Sequence, residues 1–254
     1  MNYDVIVVGA GMAGLTSAIY LARASKKVLV LEGKVQGGQI INTLCVENWP
    51  GSYKTSGAEL MKEIYDQALD LGAEVKFEEV ESVNKTEDYF RIVTDEQEYK
   101  TRAVIVAVGA EPRRLSDLQA GYAGSRPISY CATCDGAIYK GKPVVVVGSG
   151  NTAKDEIKYL EGMCSKVYHI HHDEPIPEDA EAVFVAIGRV PSTGLFKDLV
   201  ELDGGGYVVA GENCETSCSG VFVAGDCRTK EIRQLVTAAA DGAVAAEAAI
   251  KYLG

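Results

Sequence analysis

The chain has 254 residues, 47% hydrophobic and 24% charged, a composition that supports a packed core and excludes a disordered segment. Its 25 basic residues against 36 acidic ones leave a formal net charge of −11, which argues against binding a phosphate backbone, so no nucleic-acid partner is expected. No apolar run approaches the roughly 18 residues of a membrane span, so no membrane partner is expected either.

The opening stretch MNYDVIVVGAG lacks a basic n-region and reads as a buried strand, not a secretory signal. With seven cysteines, an odd number, it points to a reducing, cytoplasmic setting. Residues 4–8 read as a strand covered on both faces. Gly9-Ala10-Gly11-Met12-Ala13-Gly14 follows, then a helix pattern to about residue 24 and a strand over 28–31 that ends on Glu32. This is a G-x-G-x-x-G turn between strand and helix with an acid about 20 residues on, the fingerprint of an adenine dinucleotide site. Gly9 allows the tight turn, Gly11 lets backbone N–H groups approach a pyrophosphate, Gly14 permits close helix–strand packing, and Glu32 can accept hydrogen bonds from ribose hydroxyls.

Residues 33–56 are loop-like and contain Gly37-Gly38-Gln39 and Glu47-Asn48-Trp49-Pro50-Gly51. Residues 57–71 read as an amphipathic helix, 73–94 as short strands, and 103–108 as a buried strand ending at Gly109. Cys131 and Cys134 alone have the C-x-x-C spacing; a zinc site would want a second pair, which leaves redox exchange or a structural pair. A disulfide this short, opening a helix, lowers thiolate pKa and exchanges readily. The adjacent Asp135 can shuttle protons where burial raises its pKa.

A second unit repeats the pattern: a strand over 144–147, Gly148-Ser149-Gly150-Asn151-Thr152-Ala153, a helix to about 161 and a strand over 166–171. From 144 to 187 there are 44 residues, and one βαβ unit uses 144–171. The 11 residues 172–182 are too few for another helix and strand, so the second crossover is expected to be missing. His169 and His171 share one strand face, but with no third ligand in view no metal site is expected. A strand over 220–224 runs into Gly225-Asp226, and an alanine-rich helix covers about 231–253. The fold class is α/β, with two Rossmann-like domains.

The motifs GAGMAG, GGQI, ENWPG, YCATCDG, GSGNTAKDE, VAIGRVPST and VFVAGDCRTKEIRQLVTAAADG together resemble the low-molecular-weight thioredoxin reductase family of flavoprotein disulfide reductases, over nearly the whole chain. The resemblance implies that the second domain, 113–218 and truncated, is inserted in a first made of 1–112 and 219–254. It implies FAD, held by Gly9, Gly11, Gly14, Glu32, Gly38, Gln39, Asn48, Asp226, Arg233 and Gln234, a redox-active disulfide at Cys131/Cys134 with Asp135 as proton shuttle, and a homodimer that reduces thioredoxin-like proteins. By the same resemblance Cys134 faces the flavin and Cys131 attacks the partner's disulfide.

One stretch departs from the family. NADPH-using members carry His-Arg-Arg and a further arginine after the strand that follows the second fingerprint; here the stretch is His171-His172-Asp173-Glu174-Pro175. Two acids where the 2′-phosphate would sit repel it. The ferredoxin-dependent flavin thioredoxin reductase branch matches this pattern, and it implies reduced ferredoxin as donor, FAD and the disulfide as relay and thioredoxin as acceptor. Plant-type ferredoxins near −400 mV and thioredoxin near −270 mV make the transfer downhill by about 6 kcal/mol per electron pair. An acidic ferredoxin needs a basic patch, for which Arg228, Lys230 and Arg233, or Arg113 and Arg114, are the candidates against solvated surface charge. The alternatives are an NADPH-dependent thioredoxin reductase, or a flavin-dependent dithiol oxidase or peroxide-system reductase. Cys45 precedes the Glu47-Asn48 segment, either as a redox thiol or, by preference, a packed free one.

Overall fold

Alternating apolar side chains build the first sheet of the computed structural model, which describes residues 3–33, 37–115, 123–171 and 174–254. Strands β1 (Tyr3–Val8) and β2 (Val28–Glu32) pair in parallel, with helix α1 (Met12–Arg23) between them. Val5 and Val7 enter one core layer, Ile6 and Val8 the other, because successive residues of a strand point to opposite faces. Strand β3 (Glu74–Phe77) extends the sheet beyond β2, and β6 (Glu98–Val106) pairs with the other side of β1, both in parallel. Strands β4 (Val80–Lys85) and β5 (Phe90–Thr94) turn back antiparallel onto the first half of β6. The second half of β6 accepts β13 (Val221–Val223) in parallel, which completes a seven-stranded sheet.

Helix α2 (Gly57–Asp70) begins with a capping box: the Glu59 N–H donates to Ser56 Oγ at 3.2 Å, and the Glu59 carboxylate accepts the Ser56 N–H at 3.1 Å. The last helix, α5 (Leu235–Leu253), starts four residues later than its alanine-rich composition suggests. The Gln234 N–H donates to Thr237 Oγ1 at 3.1 Å and fixes the helix start there. Ala245, Ala246 and Ala249 of α5 are fully buried in the core layer that also holds Leu15 and Ala18 of α1.

The second sheet is four-stranded and parallel, in the order β10 (Lys166–Ile170), β9 (Pro143–Val147), β11 (Val183–Val185), β8 (Ile128–Ser129). The short helix α3 (Ala132–Asp135) follows β8, and α4 (Asn151–Glu161) crosses from β9 to β10. Ala153 and Leu160 of α4 cover the sheet face that carries Val144, Val146 and Phe184. Between β10 and β11 the described residues of 171–182 contain neither helix nor strand. The second crossover is thus absent among them, as the residue count predicts, and Leu115, Ala123 and Ala180 from loops cover the face with Val145 and Val147.

The chain divides into one unit of Met1–Glu111 with Pro191–Gly254 and another of Pro112–Val190. It passes between them at β7 (Ala110–Pro112) and β12 (Arg189–Pro191). Residues 191–218, grouped with the second domain on the sequence, belong to the first unit. Phe196, Val200 and Val208 are buried there among Val80, Val83 and Ile92, and periodicity does not say which core a lone apolar residue joins. Among the described residues no helix is long and apolar enough to cross a membrane.

Candidate functional site

In the first unit the fingerprint residues meet their expected geometry. Gly9 has φ +106°, and a Cβ there would lie 2.4 Å from the Ala107 oxygen. A Cβ on Gly14 would lie 1.8 Å from the Gly9 oxygen, so any side chain at 14 would push α1 off the turn. Around Gly11 the opposite holds: among the described residues a Cβ would meet no atom within 4 Å, and no side chain caps the first turn of α1. Backbone N–H groups at a helix start, open space in front of them and no competing acceptor together fit a pyrophosphate. Gly38 borders this space, since a Cβ on it would lie 3.5 Å from the Gly11 Cα.

Glu32 sits at the end of β2, its Oε2 accepting the Ala10 N–H at 2.7 Å and its Oε1 the Gly33 N–H at 2.9 Å. Burial raises its pKa, and these two hydrogen bonds pull the other way. Gln39 donates from Nε2 to the Ala110 carbonyl at 2.6 Å, which ties its loop to the sheet.

The remaining expected dinucleotide residues gather at a second place in the same unit. Asn48 Nδ2 donates to Gln234 Oε1 at 3.1 Å, although the two are far apart in sequence. Arg233 donates from Nε to the Asp226 carbonyl at 3.2 Å and stacks over the Tyr207 ring at 4.2 Å. Asp241, which the sequence reading did not single out, anchors this region from α5. It accepts from Arg228 Nε at 2.9 Å, Arg228 Nη2 at 2.8 Å, Lys230 Nζ at 2.7 Å and the Gly225 N–H at 3.0 Å. An acid in the middle of an alanine-rich helix was the signal that could have found it.

These contacts correct one expectation. The Arg228 and Lys230 side chains are 4% and 7% exposed, so they are internal ion-pair partners and not a docking patch. Spacing shows a cluster of cations but not the acid that folds onto it. Arg113 and Arg114 of the second unit are exposed.

In the second unit Cys131 and Cys134 form a disulfide across α3, with Cα atoms 5.3 Å apart. Asp135 accepts from Ser129 Oγ at 2.6 Å, and the same hydroxyl oxygen accepts the Cys131 N–H at 3.1 Å. The Ser129 hydroxyl thus links the Asp135 carboxylate to the Cys131 backbone at the start of α3. Glu156 of α4, also absent from the sequence-level candidates, accepts the Ala132 N–H at 3.5 Å. No spacing rule links 132 to 156; packing of α3 on α4 does.

The other cysteines divide by environment. Burial pushes Cys227 up to about 12 and Cys214 up to about 11, so both remain thiols at neutral pH. Cys45 is exposed, against the packed thiol expected there, because its loop turns the side chain outward while Val46 goes inward. Around the second fingerprint, a cleft of about 320 Å³ is lined by Gly148, Ser149, Gly150, Thr152, His171 and Gly188. His169 donates from Nε2 to the Gly148 carbonyl at 2.7 Å, and no group of three or more metal-ligating side chains exists among the described residues. His172 and Asp173, two of the residues standing where the family has arginines, lie outside the described residues.

A glycine cradle on the parallel part of one sheet and a C-x-x-C disulfide beside a second, parallel one are the marks of the pyridine nucleotide-disulphide oxidoreductases. The family model described as "Pyridine nucleotide-disulphide oxidoreductase" matches residues 3–178 and 168–242. A thioredoxin reductase of Treponema pallidum is 37% identical over 301 residues, with 99% of this chain and 97% of the relative covered. The crystal structure of thioredoxin reductase from Streptococcus pyogenes is 31% identical and superposes with a TM-score of 0.91, covering 100% of this chain and 99% of the other. A ferredoxin-flavin thioredoxin reductase from Clostridium acetobutylicum is 27% identical with a TM-score of 0.64, covering 99% and 97%. The chain belongs to the low-molecular-weight thioredoxin reductase family, flavoprotein disulfide reductases that typically bind FAD.

Proposed function

We propose that this protein passes electrons from reduced ferredoxin through FAD and the Cys131–Cys134 disulfide to a thioredoxin-like protein, without using NADPH. The observation that carries the reading is the second sheet, where the chain runs from β10 to β11 with no crossover element among its described residues. The alignment with the Treponema pallidum enzyme spans 301 residues although this chain has 254, so the relative carries segments that this chain lacks. A ferredoxin-flavin enzyme stands among the similar structures, but the Streptococcus pyogenes thioredoxin reductase matches more closely, so the donor reading rests on the second sheet.

The residues of the first unit fit FAD. The open space at Gly11 and the uncapped start of α1 would hold the pyrophosphate, Glu32 the ribose, and Asp226, Arg233, Gln234 and Asn48 the remainder, with Gly9 and Gly14 shaping the turn and Gly38 and Gln39 the facing loop. When bound, the flavin supplies the step from single electrons to a pair. The chain's own residues do the rest: the disulfide accepts the pair, Asp135 exchanges protons through Ser129, and a thiolate attacks the partner's disulfide. Arg113 and Arg114 are the exposed basic pair for an acidic donor. We also expect a homodimer, which sedimentation would show as twice 27.1 kDa.

The cleft beside Gly148 and the thioredoxin reductases among the relatives favour a second reading, an NADPH-dependent enzyme. Anaerobic mixing separates the two. Reduced ferredoxin should bleach the flavin within seconds, while micromolar NADPH should leave it oxidised; rapid bleaching by NADPH refutes the first reading.

A further inference from the structure

We propose that Glu156 is a positioning residue that sets the acidity of the thiols formed when the Cys131–Cys134 disulfide opens, an inference that rests on that pair being redox-active. Ala132, between the two cysteines, is 1% exposed, and its N–H donates to Glu156 Oε1 at 3.5 Å. The other oxygen, Oε2, is buried with no hydrogen-bond partner among the described residues. The carboxylate therefore lies against the backbone of the turn that the disulfide closes, and half of its hydrogen-bonding capacity is unused. Burial raises its pKa, the Ala132 hydrogen bond opposes this, and the Arg189 charge opposes it further.

Besides Arg189, which favours the ionised form, and Tyr139, which packs on the same cluster as Ala132, the ionisable groups nearby are engaged or face outward. On α3, Asp135 is held by Ser129. Strand β9 carries no titratable side chain. On β10, Lys166 is bonded to the Tyr168 hydroxyl and His169 to the Gly148 carbonyl. On α4 itself, Lys154, Asp155, Lys158, Tyr159 and Glu161 are exposed.

Opening the disulfide with a dithiol such as dithiothreitol breaks the Cys131–Cys134 bond and forms the reductant's cyclic disulfide. Two electrons and two protons move to the protein, giving two thiols. In a C-x-x-C turn one of these thiols ionises near neutrality. An ionised Glu156 of α4, held against the backbone of that turn, repels a thiolate formed there, so the ionised acid raises the thiol's pKa. At low pH, with Glu156 neutral, the effect disappears.

The test is the equilibrium constant of the full-length protein with dithiothreitol from pH 5 to 8, read by alkylation and mass spectrometry of Cys131 and Cys134. Wild type and Glu156→Gln should agree at pH 5, and at pH 8 the variant should be reduced about tenfold more readily, one pKa unit at the thiol. Glu156→Asp, which restores the charge, should return the curve toward wild type. Curves that stay parallel across the range, whatever their offset, overturn the proposal, since a packing role shifts all pH values alike. Proton release by wild type alone is a second readout if the variants do not fold. Reduction at pH 7.5 should release much less than one proton per disulfide, and release of about one overturns the proposal. A disulfide that resists excess dithiothreitol at every pH removes the redox reading itself, an outcome distinct from parallel curves.

Discussion

Asp241 receives hydrogen bonds from Arg228, Lys230 and the Gly225 backbone, all at or below 3.0 Å. Burial works against its ionised form, but the Arg228 and Lys230 hydrogen bonds hold its pKa below the ordinary carboxylate value. Its contribution to stability is therefore present above the unfolded aspartate pKa of about 3.9 and is lost as pH falls through the lower folded value. Asp241→Asn removes the buried anion shared by Arg228 and Lys230, leaving Arg228, among the described residues, only the exposed Glu212 at 3.9 Å, and should cost about 3–5 kcal/mol in urea unfolding at pH 7. Between pH 4 and pH 2 the variant should lose less further stability than wild type. At the disulfide, Cys134→Ser should abolish thioredoxin reduction while leaving the melting temperature within a few degrees, because Cys134 is exposed and α3 is one turn long. Gel-based turnover assays and thermal melts check it.

The turn between β1 and α1 separates two roles that look alike in sequence. Gly14 has no room for a side chain, with its Cβ position 1.8 Å from the Gly9 oxygen, whereas Gly11 faces open space. Gly14→Ala should therefore lower stability by at least about 3 kcal/mol and lose flavin with it. Gly11→Val should keep the wild-type melting temperature as apoprotein and lose most of the bound flavin, since a side chain there meets no described protein atom and fills the space proposed for the pyrophosphate. Flavin absorbance per chain and apoprotein melts distinguish the two. Most regular elements were legible because their signals are local: β1, β2, α1, β9 and α4 follow from apolar runs and glycine turns. The start of α5 was not, since Glu231–Gln234 carries ordinary helix formers and the Thr237 hydroxyl decides where the helix begins. Nor was the division at Pro191, which follows from where Phe196 and Val208 find a core.

For the molecule as a whole, a net charge of −11 opposes association with the acidic donor proposed above, so on that proposal a local basic patch must overcome it. With Arg228 and Lys230 internal, Arg113 and Arg114 carry that prediction. Replacing both with glutamate should slow flavin reduction by ferredoxin at least about tenfold at low salt and flatten its ionic-strength dependence, while reduction by dithionite stays unchanged. Stopped-flow rates over a salt series measure it.

The two-sheet α/β architecture and the shortage of chain in the second sheet were determined by the sequence alone, because glycine turns, apolar runs and residue counts act over short distances; the family was legible only as a resemblance of motifs. Only the tertiary structure decided which groups meet: Asp241 with Arg228 and Lys230, Asn48 with Gln234, and Glu156 with the C-x-x-C turn. Each joins elements separated in the chain, and electrostatic and hydrogen-bond partners are selected by packing, which no local pattern encodes.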